Sequence, residues 1–165
     1  MPTRLHLAPI NLTHADDIFR EFTPEITRYM YPQPTATIAG TIAFIEKSIV
    51  EKQAVRDFQT VILHKDTDEF LGCVGLHRLD TKTPDIGIWL KKSAHGHGYG
   101  PEAVRQLKTW ADQNLDYNYL IYPVDKANLA SRKIPESLGG QIAREYEELS
   151  QDGRPLNIME YHIHR

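Results

Sequence analysis

The sequence predicts a mixed α/β domain, with six to seven strands in a sheet flanked by helices. Three observations predict it. Short apolar runs bounded by polar turns recur along the chain, and two of them, 58–64 and 70–79, flank Lys65-Asp66-Thr67-Asp68-Glu69 as the arms of an antiparallel hairpin would. Other segments repeat apolar residues at the spacing of one helix face, as Ile38, Ile42, Ile45 and Ile49 do. With 165 residues, 41% hydrophobic and 25% charged, the chain has the length and mixture of one ordinary globular domain, so a single domain over 1–165 is expected.

Taken in order, Leu5-His6-Leu7-Ala8-Pro9-Ile10 alternates like a short strand. Asn11-Leu12-Thr13 then offers a polar cap for a helix through Ala15, Ile18, Phe19 and Phe22, ended near Pro24. Tyr31-Pro32-Gln33-Pro34 is irregular, because each proline removes a donor and restrains its predecessor. The isoleucine-striped helix and the hairpin follow. Past Thr83-Pro84, the strand Ile86-Gly87-Ile88-Trp89-Leu90 leads into a glycine turn. A helix over 101–115 carries Val104, Leu107, Trp110, Ala111 and Leu115 on one face, and Pro101 suits its first position, where a missing donor matters least. Tyr119-Leu120-Ile121-Tyr122-Pro123-Val124 is apolar on both faces, as a central strand is, with Pro123 near its end. Asn128 caps a short helix that ends at Leu138, with Gly139 and Gly140 as left-handed stops and Pro135 awkwardly inside. Strands at 141–149 and 156–164, turned at Gln151-Asp152-Gly153, close the chain.

A formal charge of −3 and a pI near 6.2 argue against a broad basic surface for nucleic acid. Lys91-Lys92 and Arg132-Lys133 read either as solvated surface or as neighbours of a ligand's phosphates. No window approaches the roughly 20 apolar residues of a membrane helix. The segment Met1-Pro2-Thr3-Arg4-Leu5-His6 lacks the apolar stretch of a signal peptide, so the cytoplasm is the expected location. The lone Cys73 has no internal partner for a disulfide and lies in an apolar run, the setting of a small core residue.

Chemistry concentrates at His95-Gly96-His97-Gly98-Tyr99-Gly100, between a strand and a proline-started helix. Successive exposed amides and the positive end of a helix dipole make an anion site there, and glycine lets a phosphate approach the backbone. Two familiar phosphate motifs do not fit. A dinucleotide fingerprint needs G-x-G-x-x-G, and a Walker loop needs Gly-Lys-Ser or Gly-Lys-Thr where this chain has Gly100-Pro101-Glu102.

The six residues His95 to Gly100 resemble the Q/R-x-x-G-x-G/A coenzyme A signature of the GNAT N-acetyltransferase superfamily, with histidine where arginine or glutamine is usual. Asp85-Ile86-Gly87-Ile88-Trp89-Leu90 looks like the E-I-G-Y-W-L strand of its ribosomal-protein N-terminal acetyltransferase branch. Asn128-Leu129-Ala130-Ser131-Arg132 and Leu138-Gly139-Gly140 match that branch's N-x-x-S and L-G-F/G features. The resemblance implies a twisted, largely antiparallel sheet whose central parallel strands, 86–90 and 119–124, splay to admit acetyl-coenzyme A. It also implies roles. The backbone of Ile88, Trp89 and Leu90 bonds the pantetheine arm. The turn of His95, Gly96, His97, Gly98, Tyr99 and Gly100 holds the pyrophosphate, and Asn128 meets the arm or its neighbouring backbone.

Acetyl transfer to an amine needs a base for the amine proton, a donor for the oxyanion and an acid for the departing thiolate. Asp85 occupies the family's glutamate position and is the candidate base, with Glu145, Glu147 and Glu148 clustered near a strand expected close to the site and His77 as an alternative that sequence does not place. A backbone N–H near Ile88 or Trp89 is the candidate oxyanion donor. The resemblance points to Ser131 as the acid, since Pro135 stands where other branches carry a tyrosine. His95 with His97, and His162 with His164, do not supply enough ligands for a metal. The 23–37 segment, with Tyr29, Met30 and Tyr31, is expected to wall the acceptor cleft, while the acceptor itself and the oligomeric state, a homodimer included, stay open. A coenzyme A sensor that lost catalysis is the competing reading.

Overall fold

The structure, a computed structural model, describes residues 3–165, so Met1 and Pro2 of the N-terminal segment lie outside the described residues. Along the chain run β1 (Leu5–Pro9), α1 (Ala15–Glu21), α2 (Ile38–Gln53), β2 (Asp57–His64), β3 (Phe70–His77), β4 (Asp85–Leu90), α3 (Tyr99–Asn114), β5 (Tyr119–Asp125), α4 (Leu129–Ser137), β6 (Gln141–Leu149) and β7 (Pro155–His164). The strands form one seven-stranded sheet in the order β1-β2-β3-β4-β5-β7-β6. Neighbours are antiparallel except β4 and β5, which are parallel. This is the mixed sheet that the sequence predicted.

Local chemistry accounts for the element ends. Asn11 Oδ1 accepts from Thr13 N–H while His14 Nδ1 accepts from Asn11 N–H, a reciprocal cap before α1. Gly98, at φ +76°, caps α3, so the helix starts two residues ahead of Pro101. Pro101 still falls in the first turn, where its missing N–H leaves no bond unmade. At the end of α4, Gly140 N–H donates to Pro135 O at 2.8 Å and Gly139 N–H to Glu136 O at 3.2 Å, the paired bonds of a Schellman motif. Only Gly139 is left-handed, at φ +78°. Gly140 is needed for a different reason, since a Cβ there would lie 2.8 Å from Pro135 O. The face that α2 buries is Thr41, Ile45 and Ser48, and Ile38 stays 37% exposed. The expected isoleucine stripe is thus rotated, with Thr41 Oγ1 turned inward to Thr35 Oγ1 at 2.9 Å.

Alternation along the strands divides the core in two. Ile62, Val74, Leu76, Ile86 and Tyr122 meet α3 and α4 on one face. Val61, Phe70 and Cys73 meet α1 and α2 on the other. Cys73 is 2% exposed and burial pushes its thiol up, which makes it an inert core residue. Gly72 leaves no room for a side chain between β3 and β4, since a Cβ there would lie 2.1 Å from Trp89 O. Gly72→Ala should therefore destabilise the fold by roughly 3 kcal/mol or more, seen as a melting transition several degrees lower.

The parallel pair opens almost at once. β4 and β5 meet at a single register position, Asp85 opposite Ile121, where Ile121 N–H donates to Pro84 O at 2.8 Å. Peptide groups alternate between the two edges of a strand, so Pro123 directs its nitrogen the same way as Ile121, toward β4. A proline has no N–H to leave unpaired at a separating edge. On its other edge β5 stays paired with β7 as far as Asp125 opposite Ile158.

Candidate active site

Only half of the β4 peptide groups line the gap beside β5. Pro84 O faces β5, whereas Lys91 N–H donates to Leu71 O of β3 at 2.8 Å. Alternation from these two points turns Ile86, Ile88 and Leu90 toward the gap, and Gly87 and Trp89 toward β3. Ile88 and Leu90 therefore stand where an extended arm would be bonded. Trp89 does not: its carbonyl lies under Gly72, and its ring packs on Phe22 and Phe70 at 4.9 and 5.9 Å between centroids. That corrects the expectation for Trp89, because an all-apolar strand does not reveal which edge each peptide faces.

The turn at 95–100 joins the open end of the gap to α3. Gly96 and Gly98 have φ of +80° and +76°, a region that favours glycine. Among the described residues, the N–H groups of Gly96, His97, Gly98, Tyr99 and Gly100 donate to no protein acceptor. They cluster at the N-terminus of a 16-residue helix, where the helix dipole adds positive potential. A Cβ at Gly96 would meet nothing within 4 Å, so this side of the turn is open. Gly100 differs, because a Cβ there would lie 2.8 Å from Ile134 Cδ1; its small size serves the close approach of α3 to α4. Gly100→Ala should overpack that contact by about 1–3 kcal/mol. The melting temperature then falls by about 2–4 °C per kcal/mol while coenzyme A affinity holds, as thermal melts and calorimetry would read.

His95 Nε2 is 2.9 Å from Leu90 O. A carbonyl only accepts, so Nε2 carries the proton, and the ring fastens the turn to the end of β4 where a free phosphate ligand was expected. The His97 ring stacks on Tyr99, with centroids 5.4 Å apart. Arg4 reaches the same turn from the other end of the chain. Its Nη1 donates to His97 O at 3.0 Å, its Nη2 pairs with Glu102 at 2.8 Å, and its guanidinium lies over the Tyr99 ring at 4.7 Å. No local sequence signal marks Arg4 as part of the turn.

On the α4 side, Asn128 Oδ1 accepts Ser131 N–H at 3.3 Å, so Asn128 is first a helix cap. Ser131 Oγ lies 2.7 Å from the Tyr122 hydroxyl. Tyr122 is 2% exposed, and burial pushes its phenol up, so the hydroxyl keeps its proton at any working pH. Sequence reasoning missed Tyr122, which inside an apolar strand reads as core.

Asp85 sits at the closed end of the gap, with its oxygens taken by Arg78 at 2.7 and 2.8 Å. With both oxygens engaged by one guanidinium, Asp85 is an anchor at the vertex of the gap, and neither oxygen is left free to meet an amine. Glu145, Glu147 and Glu148 belong to β6, which β7 separates from β5. The 23–37 segment is tied across the β6–β7 turn by Gln151 N–H to Tyr31 O and Arg154 Nη1 to Arg28 O, each at 2.8 Å. Under it, at the end of β5, a cavity of about 390 Å³ is lined by Arg28, Tyr29, Asp125, Arg154 and Asn157. Among the described residues no group of three or more His, Cys, Asp or Glu could hold a metal ion, and no helix is long and apolar enough to cross a membrane.

Unpaired amides at a helix start suit the oxygens of a diphosphate, and an unpaired strand edge suits the amides of an extended arm. Together they define a coenzyme A-dependent acyltransferase. Known proteins share the arrangement. Residues 4–141 match the family model described as acetyltransferase (GNAT) domain. The uncharacterized N-acetyltransferase p20 of Bacillus licheniformis is 30% identical over 164 residues, which cover 94% of this chain and 89% of that protein. The spermidine N-acetyltransferase of Vibrio cholerae, solved in complex with CoA and spermine, has a TM-score of 0.86 at 14% identity, covering 99% of this chain and 96% of the other. The acetyltransferase of Salmonella typhimurium that modifies the N-terminal serine of a 50S ribosomal subunit protein has a TM-score of 0.85 at 17% identity, with 99% and 96% covered. The chain belongs to the GNAT acetyltransferase family. Acetyl transfer from acetyl-coenzyme A to an amine is the activity that membership carries, with acetyl-coenzyme A as co-substrate.

Proposed function

We propose that this chain, acting as one domain over 1–165, acetylates a primary amine on a protein N-terminus or a small molecule by direct attack within a ternary complex. The observation that carries this reading is the set of unpaired amides at 96–100 opening onto the edge of a splayed strand pair. The amides of 96–100 hold the diphosphate, Arg4 adds a cation beside them, and the gap-facing peptides of Ile88 and Leu90 bond the arm, with the free Nδ2 of Asn128 at its flank. Acetyl-coenzyme A supplies an activated acetyl group. Ile88 N–H donates to the carbonyl oxygen as negative charge grows there. Ser131 Oγ–H gives its proton to the departing sulfur, and Tyr122 holds Ser131 in place. The acceptor enters from the side of the 23–37 segment, where the cavity with Arg28 and Tyr29 lies.

A charge of −3 does not favour nucleic acid as a partner, and the lone buried thiol of Cys73 fits a reducing cytoplasm. The test is release of free thiol from acetyl-coenzyme A across a panel of N-terminal peptides, polyamines and small amines. Turnover on at least one amine is the expected result; tight cofactor binding with no turnover on any would leave a coenzyme A sensor as the better reading.

A further inference from the structure

On the sheet face that carries α1 and α2, apolar packing ends at Trp89. The next groups along β2, β3 and β4 are polar or glycine. Gly75 and Gly87 stand opposite each other across the β3–β4 ladder. Each lies beneath a polar side chain from the adjacent strand: a Cβ on Gly75 would meet Gln59 Oε1 at 2.7 Å, and one on Gly87 would meet His77 Nε2 at 3.5 Å. Glycine inside a strand marks a site of close approach. Gly87 is itself exposed, in the middle of a seven-stranded sheet, so the His77 ring borders an opening and not the core.

The second ring nitrogen, Nδ1, lies 3.3 Å from Asp57 Oδ2. Asp57 is the direct cross-strand partner of His77 on β2. A carboxylate beside Nδ1 favours the tautomer with the proton on that nitrogen, which leaves a lone pair on Nε2. Other imidazoles near the sheet centre do not border this opening. His162 Nε2 is taken by Glu160 at 2.7 Å with the ring stacked on Tyr119, and His95 Nε2 is taken by Leu90 O. Asp85, the cross-strand partner of His77 on β4, is paired with Arg78.

Gly87 immediately precedes Ile88, whose N–H faces the gap. His77 Nε2 is thus one residue from the oxyanion donor, and it lies on the opposite sheet face from the Tyr122–Ser131 pair. We infer that His77, oriented by Asp57, is the general base that accepts the proton of the acceptor amine. The inference rests on the acetyl-transfer reading above. As the carbon–nitrogen bond forms, an amine proton passes to Nε2. The carbon–sulfur bond breaks with its electron pair leaving on sulfur, which takes the Ser131 proton. Water then removes the proton from His77 and returns one to Ser131, so the protein gains none.

The experiment compares wild type, His77→Asn and Asp57→Asn as the full chain, on an amine that the wild type acetylates. Rates are read against pH, coenzyme A affinity by calorimetry, and folding by melting temperature. His77 is half-exposed, so His77→Asn should melt and bind coenzyme A as the wild type does, while kcat falls about 10²- to 10⁴-fold. Its residual rate should climb with pH where the wild type levels off. Asp57→Asn keeps a side-chain oxygen that can accept from Nδ1 but removes the charge that orients the ring, and should lower kcat by a smaller factor than His77→Asn. A purely structural histidine would move the melting temperature and leave the kcat of the folded protein in place. The inference is overturned if His77→Asn keeps kcat within about twofold of wild type, a result that leaves acetyl transfer standing. Absence of turnover by the wild type on every amine overturns acetyl transfer and the base with it.

Discussion

Gly98→Val should weaken coenzyme A binding at least about 100-fold, to below detection in calorimetry, because bonds from unpaired amides to charged phosphates are worth about 1.5–3 kcal/mol each and at least two are lost. Two causes act together. Gly98 sits at φ +76°, a left-handed conformation that a β-branched residue resists by roughly 1–2 kcal/mol. Its Cβ would also emerge 3.6 Å from Arg4 Nη2, on the side where the turn meets its cation. The turn then either re-forms with its amides misaligned or stays in place with isopropyl bulk over them. Gly98 caps α3 without a side-chain bond, so the helix beyond it should survive and the protein should still melt cooperatively. Unchanged affinity in a folded Gly98→Val protein would mean that the diphosphate is held elsewhere.

Ser131→Ala should lower kcat by about 10²-fold with coenzyme A affinity intact, the usual loss when one proton donor is removed. The Tyr122 hydroxyl lies 2.7 Å from Ser131 Oγ and is held protonated by burial, so it supports the serine without titrating itself. Tyr122→Phe keeps the ring and removes only that support, and its loss should be smaller, about tenfold. The double variant should be no worse than Ser131→Ala, since Tyr122 acts through Ser131 and residues in one hydrogen-bonded unit are not additive. If Ser131→Ala lost melting temperature but kept kcat, Ser131 would be a helix-start residue and nothing more.

Much of this molecule is visible in the order of its residues. The glycine turn between a strand and a helix, the hairpins on either side and the short capped helix at Asn128 all depend on neighbours within a few positions, and each emerges within two residues of its expected limits. Local rules blur where two explanations share one residue type. Gly96 and Gly98 are glycine for their φ, Gly100 for contact with Ile134, and Gly140 for contact with Pro135, yet all four look alike in the chain. Trp89 shows the same limit for strands: it sits between Ile88 and Leu90, but its peptide turns toward β3 and its ring toward Phe22 and Phe70.

By itself the sequence determined the fold class, the place of the glycine turn and the family resemblance, because periodicity, capping and backbone permissiveness act over a few residues. Tertiary structure alone decided which groups meet. Arg4 reaches a turn more than ninety residues away, Asp57 stands across from His77, Tyr122 finds Ser131, and Arg78 closes on Asp85. Those pairings follow from strand register and from where the parallel pair parts, and register is set by the whole sheet packing both faces at once, so no short stretch of chain contains it.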